Sequence, residues 1–556
     1  MYIIRRLTSM ISEHRRLARF GSLDFLEVLT ANRPRRRIHK VTLPRLELTA
    51  SFLAASLGSL AVESTLPLDI FLHGKDECFL LRCILLTTRS VFPAREFRGV
   101  WVATVANIDW PTSKYHTTAQ QKQELDAIIE EVRQRHFNAI VFQIRSTGDA
   151  MYNSSLEPWS YYLTGHQGQA PSPYYDPLEY MIQKAHEVGI EVHAWFNPYR
   201  ARSGSTSRTG LASNNMANRF PSHAYAYGNN LVMDPGAKEV QDFIVDVFSD
   251  VARRYDVDGM HMDDYFYPYP VSGQTFPDSS TYHRYQASSG TLSLADWRRE
   301  NVNTLIQRLG IAIHSIKPYL KFGISPFGIW KAGHPSGIHG LSSYDSLFAD
   351  SQLWLRQGWV DYLAPQLYWA IDPPAQSYPA LLQWWVQQND QHRHIYAGNS
   401  LSKIESKHWG SQEIINQIKI SRNLRANESL GNIQFSMRYL QSNTQGISDA
   451  FQSIYISRTL TPAMPWLSVP TPLTPSITVT GNTLTWAKDS SGHTWRVLVY
   501  TQTADAFELH DLLHNEHTST HVTDGEYAVT AIARNGVESQ VMYIQVVGGV
   551  NSNLVG

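Results

Sequence analysis

What most constrains this chain is a series of short runs that begin apolar and end polar or aromatic, each followed by a stretch with helical periodicity. The runs are RGVWVATV (98–105), AIVFQIRS (139–146), IEVHAWFNPYR (190–200), VDGMHMDD (257–264), KFGISPFGIW (321–330), VDYLAPQLYW (360–369), HIYAGNS (394–400) and GNIQFSMRYL (431–440). Between them, residues 121–136, 176–189, 241–259, 297–316 and 346–358 place apolar side chains on one helical stripe, and several end at glycine as helix C-termini often do. Strand and helix alternating in this way predict an α/β fold, a closed (β/α)8 TIM barrel. An open doubly wound sheet is the alternative, but no GxGxxG or Walker-type loop follows the first strand.

A barrel of this kind places its active site at the C-terminal strand ends, which is where the polar residues gather. Period-2 alternation puts Gln143 and Arg145 in phase, then His193, Trp195 and Asn197, then Gln366 and Tyr368. In the fourth run, His261 and Asp263 share one face, and Met260, Met262 and Asp264 share the other. Adjacent carboxylates at a strand end suit glycosidic cleavage, in which one carboxyl protonates the leaving oxygen while a carboxylate attacks the anomeric carbon or activates water. Asp263 is the expected nucleophile or base, and Asp264 is expected to point between strands as an orienting acceptor. The partner acid is expected to be Asp345, in the loop after the fifth strand, with Asp149, Asp234, Asp372 and Glu405 behind it. Trp195, Tyr199, Tyr265, Phe266, Tyr267, Trp330, Tyr368 and Trp369 are expected to form an aromatic wall on which sugar rings stack. Arg145 and Arg200 are either structural bridges or ligands for a substrate carboxylate.

Composition narrows the partners. A net charge of −1 over 556 residues gives no reason to invoke nucleic acid or an anionic membrane. The only cysteines, Cys78 and Cys83, support no disulfide framework, and no CxxC or HExxH signature calls for a metal. No cofactor is expected. No run approaches the ~20 apolar residues of a membrane span, and CFLLRCILLTTRSVFPA (78–94) resembles an interrupted leader peptide.

Several of these segments, taken in order, resemble one family. REFRGVWVATVANIDWPTS (95–113), FQIRSTGDAMYNSSLEPWS, HAWFNPYRAR, VMDPG (232–236), DGMHMDDYFYPYP, SPFGIW and APQLYW are similar to the glycosyl-hydrolase-like-10 family, over roughly Arg95 to Trp466. Its bacterial members include an envelope glycosidase that cleaves denuded peptidoglycan strands. The resemblance implies a TIM barrel, hydrolysis of O-glycosidic bonds without a cofactor, and action in the cell envelope or outside the cell. It places the aspartate pair on Asp263 and Asp264, and substrate-facing strand ends on Arg145, His193, Asn197, Asp234 and Tyr368. Family-18 chitinases carry DGxDxDxE at the fourth strand; here Asp258, His261, Asp263 and Tyr265 align. Tyrosine thus stands where their catalytic glutamate would, which does not support their substrate-assisted mechanism.

Four segments are expected. Residues 1–93 form an Arg-rich extension, expected to be either a retroelement remnant, since segment 40–65 resembles a fragment of a BEL/Pao-type polyprotein, or a poorly ordered extension. Residues 94–461 form the barrel, 462–476 a Pro/Thr-rich linker, and 477–556 a β-sandwich resembling fibronectin type III, with Trp486 on an early strand, Tyr527 on a late one and an Asn-Gly turn at 535–536. Two functions are compatible with this: a glycosidase, most simply of peptidoglycan-like glycans, or a carbohydrate-binding scaffold that has lost turnover. The acid pair favours the enzyme, because binding alone has no need of one. Oligomeric state is not legible in the sequence.

Overall fold

The computed structural model describes residues 94–503, 506–547 and 550–552, so the expectations for the N-terminal extension and the leader-like segment lie outside the described residues. Eight parallel strands close in chain order: β1 (Phe97–Val102), β2 (Ala139–Arg145), β3 (Glu191–Phe196), β4 (Gly259–Met262), β5 (Lys321–Ile324), β6 (Tyr362–Leu363), β7 (His394–Ser400) and β8 (Ser429–Phe435), with β8 pairing back onto β1. The fold is therefore the expected TIM barrel. Helices return the chain between strands, and local sequence starts them. Thr117 and Gln120 form a reciprocal capping box ahead of Thr118–Gln134, and Asp176 caps Pro177–Glu187 with proline in the first turn.

Strand alternation divides the apolar residues into two sets. Ile140, Phe142, Met260 and Met262 pack outward with helix residues such as Val247, Val251 and Leu305, each fully buried side chain contributing about 1.5–3 kcal/mol. Phe97, Trp101, Val141, Trp195, Tyr362, Tyr396 and Ile433 fill the lumen. Phe97 stacks on Tyr396 with centroids 4.1 Å apart. Gly259 and Gly323 make room for this, since a Cβ on either would run into the rings of His193 and Tyr362.

A buried polar column threads the same lumen. Trp101 Nε1 donates to His261 Nε2 at 3.2 Å, so His261 Nδ1 carries the proton facing Tyr362 Oη at 3.0 Å. The Tyr362 hydroxyl then donates to His193 Nδ1 at 2.9 Å, and His193 Nε2 donates to Glu191 at 3.1 Å. Lys321 closes the column on Glu191 at 2.6 Å. His261 is neutral in this arrangement, held well below its usual range by burial and by the neighbouring His193. With the lumen filled, a substrate can reach only the strand ends above it.

Below the barrel, two carboxylates tie it to the C-terminal segment. Asp258 accepts from Val192 N and His186 and pairs with Arg534 at 3.1 Å. Asp361 accepts from Phe322 N, His314 and Trp466 Nε1. Asp258, aligned with a chitinase motif residue in the sequence, is thus a structural anchor. Beyond it stand a three-stranded antiparallel sheet (477–480, 483–486, 519–521) and a five-stranded one in the order 507–514, 496–502, 525–532, 542–547, 550–552. Val479, Leu484, Trp486, Val497, Val499, Tyr527 and Val529 form their shared core.

Candidate active site

At the end of β4 the carboxylate of Asp263 is enclosed by donors from neighbouring strands. Asn197 Nδ2 reaches both of its oxygens at 2.7 Å, Trp195 Nε1 reaches Oδ2 at 3.2 Å, and the Tyr265 amide reaches Oδ1 at 3.1 Å. The amide of Asn197 can point only this way, because its Oδ1 accepts from Gln143 Nε2 at 2.6 Å and Arg200 Nη2 at 3.0 Å. Gln143 is fixed in turn by the Thr104 and Val105 amides, which donate to its Oε1 at 2.8 and 2.9 Å. Arg200 opens a small antiparallel strand, Arg200–Arg202, on an excursion after β3. It also donates to Ser146 O and lies 4.9 Å from the centroid of Tyr265, a ring 41% exposed at the mouth.

The two acids differ electrostatically. Burial raises the Asp263 carboxyl above its usual range, while Arg200, Asn197, the Tyr265 amide and Trp195 hold it down. Asp264 is equally enclosed and also faces the charge of Asp263, which pushes it up to about 7 despite hydrogen bonds from Tyr269 and Gln366. Asp263 therefore ionises first, and Asp264 retains its proton to near neutrality. Asp264 is an acceptor, as expected: its carboxyl takes hydrogen bonds from Tyr269 and Gln366.

An aromatic arc flanks the pair: Tyr265 lies 5.5 Å from Tyr269, Tyr269 lies 6.2 Å from Phe327, and Phe327 lies 5.6 Å from Trp369, measured between centroids. Tyr368 stacks on Phe435, its hydroxyl held well above its usual range by burial and by Asp264 and Asp263. Gln366 also donates to Ser325 O at 3.0 Å.

Other expected site residues lie elsewhere. Arg145 is fully buried in a two-pronged pair with Glu157 at 2.6 and 2.7 Å, and also donates to the Asn197 and Pro198 carbonyls, so it has nothing to offer a ligand. His193 and His261 belong to the lumen column below the rim. Tyr199, Phe266 and Tyr267 are buried in the helix-side core, and Trp330 stacks on Trp384 with its Nε1 donating to Asp350. Asp234 accepts from Thr281 and the Gly236 amide ahead of helix Lys238–Arg254. Asp345 is exposed on the short helix Ser343–Ser346, where its carboxylate accepts from Ser342 at 2.7 Å, so it serves the helix start and does not join the pair. Asp149 is occupied by Thr147, the Tyr161 amide and Gln167, while Asp372 and Glu405 are exposed. Tyr269 and Phe327 were missed. The run YFYPYP carried the aromatic signal, but nothing local says which of its rings turns inward. Among the described residues no group of three or more His, Cys, Asp or Glu is placed to hold a metal, and no helix is long and apolar enough to cross a membrane.

Comparison with known proteins identifies the family. The family described as "Glycosyl hydrolase-like 10" matches residues 96–413. "Glycosyl hydrolase YngK" of Bacillus subtilis (strain 168) is 41% identical over 395 residues, covering 69% of this chain and 76% of that protein. "Glycosyl hydrolase DigH" of Escherichia coli (strain K12) is 36% identical over 331 residues, covering 56% and 74%. The matched span runs from β1 past β7 and includes the aspartate pair with all its donors; the chain belongs to the glycosyl hydrolase-like 10 family and is a glycosidase.

Proposed function

We propose that the enzyme hydrolyses the glycan strands of a peptidoglycan-like polymer, with Asp264 as the general acid and Asp263 as the nucleophile or base. The observation that carries the assignment is the unequal tuning of two adjacent carboxyls: burial raises both, but three hydrogen-bond donors and a guanidinium hold the first down, while the other is kept protonated to about 7 by burial and by the first. Asp264 gives its proton to the leaving glycosidic oxygen. Asp263 attacks the anomeric carbon or takes a proton from the attacking water. The Tyr269 hydroxyl, already donating to Asp264, stabilises the carboxylate that proton transfer creates.

The glycan assignment draws on the family resemblance and on Arg200. Of the two arginines expected either to bridge or to bind, Arg145 is saturated by Glu157, and Arg200 lies beside Tyr265 at the mouth, where its charge suits a sugar bearing a free carboxylate, such as a muramic acid unit stripped of peptide. A wall glycan as substrate places the action in the envelope or outside the cell. The test is to incubate the purified full chain with amidase-stripped peptidoglycan, chitin oligosaccharides and α-glucans and to identify products by mass spectrometry. Cleavage of the stripped peptidoglycan alone is expected. Asp263→Asn should bind the same strands without turning them over, since only charge and basicity change. Cleavage confined to α-glucans would remove the substrate assignment, and binding without turnover by the unmodified chain would leave a carbohydrate-binding scaffold.

A further inference from the structure

Outward of the aspartate pair, the rim carries a second group of aromatic rings. The loop after β1 presents Tyr115, 78% exposed, and the loop after β2 presents Tyr161, 40% exposed. A single exposed ring is ordinary on a protein surface, but these two are pinned together. Lys114 Nζ lies 4.1 Å from the Tyr161 centroid and 5.4 Å from that of Tyr115, and it donates to the Tyr161 hydroxyl. Gly165 ends the helical turn Tyr161–Thr164 at a φ of 78°, and a Cβ there would lie 3.4 Å from the Tyr115 ring, so the two loops abut. Asn107 joins them from below, donating to both Pro111 O and Tyr162 O at 2.8 Å.

This platform is continuous with the catalytic site. Tyr161 packs edge-on against Tyr162 at 5.6 Å, and its amide donates to Asp149, which also accepts from Thr147; the carbonyl of Ser146, next to Thr147, accepts from Arg200 at 3.0 Å. Arg200 in turn holds Asn197 against Asp263. Two rings with polar edges are far smaller than the ~800 Å² per partner that a stable protein interface takes. They match the C–H face of a pyranose, which stacks on aromatic rings, and their hydroxyl and ammonium edges suit sugar hydroxyls. Rings already held by Lys114 lose little further freedom when a sugar lands on them.

We propose that Tyr115 and Tyr161 form a distal sugar-binding subsite for the same glycan chain whose scissile bond lies at Asp263 and Asp264, which makes the enzyme prefer long chains. The proposal rests on the glycosidase reading and deepens it by assigning chain-length selection to named residues. The test compares the full-length protein with Tyr115→Ala/Tyr161→Ala on amidase-stripped glycan strands graded from disaccharide upward. Affinity is measured by calorimetry in an Asp263→Asn background, and kcat/KM in the active one. Without the tyrosine changes, affinity should rise with chain length. The double variant should lose about tenfold in affinity and in kcat/KM on long chains while staying within about twofold on the shortest one. Ile456→Ala, which trims an equally exposed apolar side chain elsewhere, should leave the length dependence unchanged. Equal losses on short and long chains, or an unchanged length dependence, would overturn the subsite. Length-dependent binding abolished by the double variant, with no turnover in the active background, would uphold the subsite and defeat the catalytic reading alone.

Discussion

Removing one hydroxyl at the rim should move the pH range in which the enzyme works. The productive state has Asp263 ionised and Asp264 protonated, so activity should rise as Asp263 loses its proton and fall as Asp264 loses its own, near pH 7. Tyr269 donates to Oδ2 of Asp264 and thereby stabilises its anion. In Tyr269→Phe that support is gone, so the anion becomes less favourable, the Asp264 pKa rises, and the protonated acid persists to higher pH. A hydrogen bond to a charged group is worth about 1.5–3 kcal/mol. Tyr269 is only half-buried and water can replace part of its bond, so the lower end applies, which is about one pKa unit at 1.36 kcal/mol per unit. The alkaline limb of kcat/KM on stripped glycan strands should move from about 7 up by ~1 unit, with the acid limb unchanged. The maximum rate should fall, because the same hydroxyl stabilises the carboxylate formed in the transition state. An alkaline limb that stays in place or moves down would refute Asp264 as the acid, whatever happens to the rate.

The same tuning has a cost in stability. Asp264 holds its proton more tightly folded than unfolded, so stability falls as pH rises from its unfolded pKa near 4 to about 7; Asp264→Asn should therefore gain on the order of 2–4 kcal/mol above pH 7, a gain that thermal denaturation should show shrinking to nothing below pH 4. Glu157→Gln strands the buried Arg145 guanidinium and should cost about 3–5 kcal/mol, whereas replacing both residues with apolar ones of similar volume should cost less; equal losses in denaturant titrations would count against a desolvation penalty. Arg534→Ala breaks the link to Asp258 and Asp256 beneath the barrel and should lower the melting temperature by several degrees while leaving kcat unchanged; a changed kcat would mean that the C-terminal sheets act on the site.

Much of the barrel was legible because its cause is local. Apolar residues at alternate positions, helical stripes between them, and polar ends on each run are properties of short segments. Residues in phase on neighbouring strands must meet once the sheet closes, and Gln143, Trp195 and Asn197 do converge on Asp263. Phase does not give height along the barrel, however. His193 and His261 share the inward face with Asp263 yet lie below it in a filled lumen, and Arg145, next to the mouth by sequence, is claimed by a glutamate twelve residues on. Loop residues escape periodicity altogether. Asp345 was placed by the loop it leaves and turned out to accept from Ser342, the cap of its own short helix, while Tyr269 entered the site unannounced. The pKa of Asp264 lies furthest from anything a sequence can state. It is set by the water excluded around one carboxyl and by the charge of its neighbour, sums over groups from several strands that come together only when the barrel is closed.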